Sequence, residues 1–206
     1  MKKIFFSLLS LAAFAGMLGS CREQSRIPEP EVESLPLILP DINPAKNVFT
    51  FTPSRAAEST NPTRPVFEFT VNPSQVSGIK LEVVEVYKTF VRGGTTFGPR
   101  VKVKDLTSFP ATVSINSQDA LTDLYLTNNP PPVTVPATPP PIPIKATTST
   151  GNNRIISGDA VVFTFEYVVN GGRRIVLTPL KTVAGVTGVI SGNRTAAPFA
   201  AIVTFK

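Results

Sequence analysis

The 206-residue chain has no histidine, no tryptophan and a single cysteine, and each absence removes a class of chemistry. Without histidine, neither a Ser-His-acid triad nor a histidine-ligated metal site can be assembled. With Cys21 as the only thiol, no disulfide can form within the chain, so the fold must rest on its core. Lacking tryptophan, the chain lacks the ring that serves best for stacking on sugars. No glycine-rich phosphate loop stands between a strand and a helix. No dense run of Lys and Arg marks a nucleic-acid site, although the formal charge is +6. The apolar stretch from Ile4 to Leu18 is short of the roughly 20 residues that a membrane-spanning helix needs. The expectation is a protein with no nucleic-acid partner, no metal, no cofactor and no catalytic residues.

What is present begins at the N-terminus. Lys2 and Lys3 precede the apolar stretch, which closes on Leu18-Gly19-Ser20-Cys21. That is the order of a cleavable export signal, and Leu18 to Cys21 closely resembles the pattern of bacterial lipoprotein signal peptides. The resemblance implies cleavage between Ser20 and Cys21, thioether lipidation of Cys21, and acylation (palmitate) of its new amino group. Several acyl chains give a stable membrane anchor where one gives a marginal one. Removing residues 1–20 takes Lys2 and Lys3 with it and lowers the formal charge to +4.

The rest reads as an extended tether over 21–46 and an all-β domain over 47–206. The tether region holds five prolines after Cys21 and shows no helical or alternating period. Apolar and polar residues then alternate at Phe49 to Thr52 and at Phe67 to Val71, giving half-buried strands. From Ile79 to Phe90 the apolar phase shifts between Val83 and Val84, which predicts a bulge. Gly93-Gly94 and Gly98-Pro99 mark a loop before Arg100-Val101-Lys102-Val103-Lys104, whose charges read as the solvated face of a strand, as do those of Lys88 and Arg92 nearby. Ala111 to Ile115 is a further strand, and Ser117 to Ala120 begins the one expected helix, with Leu121, Leu124 and Tyr125 at helical spacing. Asn129 to Ile144 carries eight prolines. It is read as a protruding insertion, or alternatively as a linker between two domains. Val161 to Val169 and Arg173 to Leu177 form a hairpin over Asn170-Gly171-Gly172, with Phe163, Phe165 and Tyr167 on one face. Val183 to Ile190 and Phe199 to Phe205 complete a single antiparallel β-sandwich of about seven to nine strands.

The acids available for two-carboxylate chemistry, Glu68, Glu82, Glu85 and Glu166, fall on polar phases and read as solvated. Asp159 reads as a turn residue, with calcium ligation the weaker alternative. Tyr87 and Tyr125 read as core. The loops 91–99 and 129–144 are the candidate presented surfaces, and the candidate ligand contacts are Phe97 and Arg92 in the first and Arg100 just after it.

Several phrases together carry a family resemblance: Glu85-Val86-Tyr87-Lys88, Ser108 to Val113, the turn at Asp119 to Leu124, Gly158-Asp159 leading into Phe163-Thr164-Phe165, Gly172-Arg173, and Pro198-Phe199. They resemble uncharacterised envelope lipoproteins of the Bacteroides group, met beside starch-utilisation-type outer-membrane transporters. The resemblance implies an immunoglobulin-like sandwich held at the cell outer membrane by lipid on Cys21, with a transporter or another envelope protein as partner. In that group, surface export goes with acids directly after the lipidated cysteine. Here Arg22 comes first, which leaves the surface and periplasmic faces both open. The function expected is a non-catalytic binding or accessory module of an uptake system. A structural envelope subunit is the alternative, and a glycosidase the least favoured.

Overall fold

The computed structural model describes residues 35–56, 63–75, 78–93, 96–97, 99–126, 142–148, 151–176, 180–183, 186–189 and 199–206. The signal segment 1–20 with Ser20 and Cys21, the first part of the tether and residues 129–141 of the proline-rich stretch lie outside them. The described chain is mostly β, with few helices and two principal sheets.

The larger sheet is organised by two long strands, β4 (Leu81–Arg92) and β8 (Ala160–Val169), which pair antiparallel from Leu81 opposite Val169 to Val91 opposite Ala160. On the far side of β4 lie β5 (Thr96–Phe97) and β6 (Val101–Leu106). The far edge of β8 is shared end to end by β12 (Ala200–Phe205) and β9 (Arg173–Val176), and β12 in turn carries the parallel two-residue strand β2 (Val48–Phe49). The smaller sheet runs β1 (Asp41–Ile42), β3 (Val66–Val71), β7 (Ala111–Asn116). A separate hairpin pairs β10 (Leu180–Val183) with β11 (Val186–Val189), where the sequence predicts one strand.

Phenylalanine joins the two sheets. Phe67 and Phe69 of β3 meet Phe163 at centroid distances of 5.6 and 5.5 Å, and Phe69 meets Phe165 at 5.9 Å. Val84, Val86, Phe90, Val113 and Ile115 close the same core. Tyr167 is buried with them, and its hydroxyl accepts a hydrogen bond from Ile38 N–H at 3.0 Å. Because strands from before and after the proline-rich stretch pair in one sheet, that stretch does not separate two domains.

Local chemistry explains the departures from expectation. The expected tether span 21–46 does not hold at its C-terminal end: Ile38 is fully buried and Asp41–Ile42 pair with β3, so the folded unit includes the chain from Leu35 rather than from residue 47. The Phe49 to Thr52 alternation stops at Phe49, and Phe51–Arg55 forms a helical turn, α1. Pro53 cannot donate to a ladder but is tolerated in the first turn of a helix, where the N–H is unpaired in any case. This makes α2 (Ser117–Leu121) the second α-helical turn among the described residues, not the only one, beside 3-10 turns at Pro44–Lys46 and Asn170–Gly172. Asn116 caps α2, its Oδ1 accepting from Gln118 N–H and Asp119 N–H at 2.9 Å. The proline-rich insertion ends early as well, since Ile144 is fully buried and its N–H bonds to Leu124 O at 2.9 Å. The β4 bulge falls between Leu81 and Val83, one residue before the predicted phase change. At the β8–β9 hairpin Gly171 and Gly172 take φ of +79° and +73°, as the Asn-Gly-Gly sequence predicts.

Truncating Phe163 leaves Phe67 and Phe69 facing a hole, so Phe163→Ala is expected to cost about 3–5 kcal/mol in denaturant unfolding. Ile156→Ala, on an exposed side chain, should stay within about 0.5 kcal/mol.

Candidate functional site

On the larger sheet, the face turned away from the phenylalanine core carries the densest polar chemistry among the described residues. The β4–β8 register sets Glu85 directly opposite Glu166 and Tyr87 opposite Thr164. Two like charges facing each other across strands repel. Both carboxylates are nonetheless nearly buried, at 5% and 8% exposure, because three cations converge on them.

Arg174 of β9 bridges the pair. Its Nη1 donates to Oε2 of Glu85 and, at 3.1 Å, to Oε2 of Glu166, while its Nη2 donates to Oε1 of Glu85 at 3.1 Å. Arg100 caps Glu166 through Nη1 and reaches Thr164 Oγ1 with Nε at 3.2 Å. Its guanidinium lies 3.8 Å from the Tyr87 ring centroid, a cation–π contact. Lys102 of β6 donates to Glu85 Oε1 at 2.8 Å and also pairs with Asp105 at 2.8 Å. The Tyr87 hydroxyl completes the set by donating to Glu85 Oε2 at 2.9 Å.

The electrostatic consequence follows from these bonds. Arg174, then Lys102, hold the Glu85 carboxyl at about 2, well below its ordinary 4.5. Lys102 is pushed up by Asp105 and Glu85, and burial together with Glu85 raises Tyr87. A glycosidase of the two-carboxylate kind needs one acid that keeps its proton near neutral pH. Glu85 is held ionised by its cations, so it is not the proton donor of such a pair.

The sequence-predicted residues divide. Arg100, in the loop just before β6, sits in the ionic band with its side chain buried by Glu166 and Tyr87 rather than presented to solvent. Arg92 is committed elsewhere: Nε and Nη2 both bind the fully buried Asp159 carboxylate, at 2.7 to 3.3 Å, and Nη2 also donates to Arg154 O at 2.7 Å. Phe97 pairs with Val91 through its backbone, and its side chain lies outside the described residues. The structure therefore brings none of the three together as one site. Asp159 makes its expected local turn bond, accepting from Ile156 N–H at 2.8 Å, and adds the Arg92 ion pair.

Other readings are corrected here. Glu85 and Glu166 are buried, whereas Glu82 is exposed and Glu68, 21% exposed at its side chain, pairs with Lys46 at 2.7 Å. Tyr87 belongs to the ionic face, not the core, and Tyr125 is half-buried in a bridge with Pro143. Lys88 points to the core side of β4, where its Nζ donates to Asp119 O at 2.6 Å, and burial pushes its amine down to about 8. Arg174 was not singled out by sequence; the hairpin that faces it with Val168, beside Glu166, is the local signal that could have found it.

A second feature lies where the entering chain meets the β3–β4 loop. A cleft of about 300 Å³ is lined by Pro36, Asn72, Pro73, Gln75, Ile79 and Phe109, together with Ser74 and Leu81, and among the described residues no charged side chain lines it. Comparison with protein-family models, with curated proteins and with solved structures found no match to this chain.

Two tests follow from the ionic band. Arg100→Met strands a buried carboxylate and should cost about 3 kcal/mol, whereas the double variant Arg100→Met/Glu166→Leu should recover most of that loss in urea melts. The Glu85 carboxyl is lowered on folding, so the stability it contributes is full above about pH 4.5 and is lost as pH falls towards about 2. Glu85→Gln should flatten that part of the stability profile in chemical unfolding followed between pH 5 and 2.

Proposed function

We propose that the chain is a lipid-anchored, non-catalytic binding or accessory module of the bacterial outer membrane, its β layers forming an immunoglobulin-like sandwich. The observation that carries this reading is the ionic band. The one opposed carboxylate pair on the described surface is closed by Arg100, Lys102 and Arg174, and Glu85 has no proton to give near neutral pH. Two sheets packed face to face through the phenylalanine cluster support the sandwich. The signal pattern ending at Cys21 supports the anchor, with residues 22–34 left as tether before the domain takes hold at Leu35.

In this reading the sandwich is a rigid platform and recognition falls to its surface. The uncharged cleft beside Pro36 and Phe109 suits a small neutral ligand, with the carboxamides of Asn72 and Gln75 as hydrogen-bonding groups on its wall. An uptake transporter or another envelope protein is the partner.

Cys21→Ser is expected to abolish incorporation of labelled palmitate and to move the protein from the membrane to the soluble fraction. Crosslinking in the native envelope should recover a transporter with the wild-type chain. Unchanged fractionation of Cys21→Ser would sink the anchor, and recovery of structural envelope proteins alone would replace the accessory role with a scaffolding one.

A further inference from the structure

We infer that the outer edge of β7 is a self-association surface, on which a second copy of this chain pairs antiparallel and doubles the three-stranded sheet. The orientation of the backbone comes from β3. Asn43 N–H donates to Glu68 O at 3.0 Å, so the main-chain groups of Glu68 point towards β1. Its neighbours Phe67 and Phe69 therefore turn theirs to β7, where they face Ile115 and Val113. In an antiparallel ladder the alternate residues point the other way. The N–H and C=O groups of Thr112 and Ser114 thus project from the sheet edge, and no described residue pairs with them. The side chains agree: Thr70 and Thr112 hydroxyls lie 3.3 Å apart, as expected for a close pair that does not exchange main-chain bonds.

Exposed strand edges are normally blunted by charge, proline, bulges or brevity. Several of the other described edges are blunted in these ways, while β11 (four residues) and residues 200–203 of β12 are uncharged but shorter than β7. β6 carries Lys102, Lys104 and Asp105; β9 carries Arg173 and Arg174; β1 and β2 are two residues each. By contrast, β7 spans six residues, Ala111–Asn116, with an unbroken register against β3 and neither a charge nor a proline.

A second copy is the occupant that this edge fits by its own symmetry. A two-fold axis at Val113 sets Val113 against Val113 of the second copy and Thr112 against Ser114 of the second copy. Thr112 and Ser114 are the residues with outward main-chain groups, so each exchanges both of its hydrogen bonds in that register. Because 111–116 is uncharged, two copies meet without the repulsion that β6 or β9 would impose on self-pairing. The pairing is independent of the lipid anchor.

The test uses the full chain carrying Cys21→Ser, which also removes the native thiol. Light scattering across a concentration series is expected to approach twice the monomer mass. A short bismaleimide should crosslink Ser114→Cys into a dimer, and not Ile156→Cys, which lies at an exposed turn preceding β8. Ser114→Lys places like charges across the two-fold, and Thr112→Pro deletes an outward N–H without touching the β3 ladder; each should return the chain to monomer with an unchanged circular dichroism spectrum. If Thr112→Pro unfolds the domain, Ser114→Lys decides. A chain that stays monomeric at every concentration overturns the inference, including the case in which a strand of another protein takes the edge. A dimer that survives Ser114→Lys overturns it too.

Discussion

The pairing of β4 with β8 is the constraint from which the other features descend. Its register turns Phe163, Phe165 and Tyr167 towards β3 and brings Val84, Val86 and Phe90 into the same layer. Apolar burial of this kind is the largest favourable contribution available to a chain without a disulfide. The same register has no freedom left on the opposite face: a one-residue slip would send every phenylalanine to the wrong side. Glu85 and Glu166 are consequently held against each other, and the sheet must neutralise them where they stand. Arg174, Arg100 and Lys102 arrive from separate strands and a loop to do so, tying β6, β9 and the 99–100 segment to the central pair.

That dependence separates what could be read from the sequence from what could not. Strands β3 and β4 announce themselves by local alternation, β7, β8 and β12 by short β-rich runs, and the β8–β9 turn by Asn170-Gly171-Gly172. The cap at Asn116 and the bulge early in β4 are local too. The ionic band is not, because burial of Glu85 depends on which residue stands across from it eighty positions later in the chain. Taken alone, its polar phase looks like solvent exposure. Tyr87 fails for the related reason that the β4 bulge reverses the phase from which its burial was judged. Ile38 and Ile144 show a third limit: each lies in a stretch whose composition suggests irregular structure, yet each is fixed by a distant partner, Tyr167 and Leu124 respectively.

The two faces of the larger sheet also differ in what they offer outward. The ionic band is saturated by its own cations, which makes it a poor receptor for a further charge and a good internal brace. The proposed recognition surfaces lie instead at the rim, at the cleft beside Phe109 and at the edge of β7 that no described residue covers. Both lie where backbone or carboxamide groups, rather than ionised side chains, meet solvent. A surface of that kind selects by shape and hydrogen-bond register and is little disturbed by salt.

The way the chain enters the domain has a mechanical consequence. Tension applied through the N-terminal segment reaches the fold at Leu35–Ile42, which is held by the Ile38 bond to the Tyr167 hydroxyl, the Leu37–Ser74 contacts and the two residues of β1. β1 ties this segment to the smaller sheet, whereas the Ile38 bond ends on Tyr167 of β8 and ties it to the larger one. In the anchored reading proposed above, a pull on the N-terminal segment would therefore strain both sheets at once, through β1 and through Tyr167.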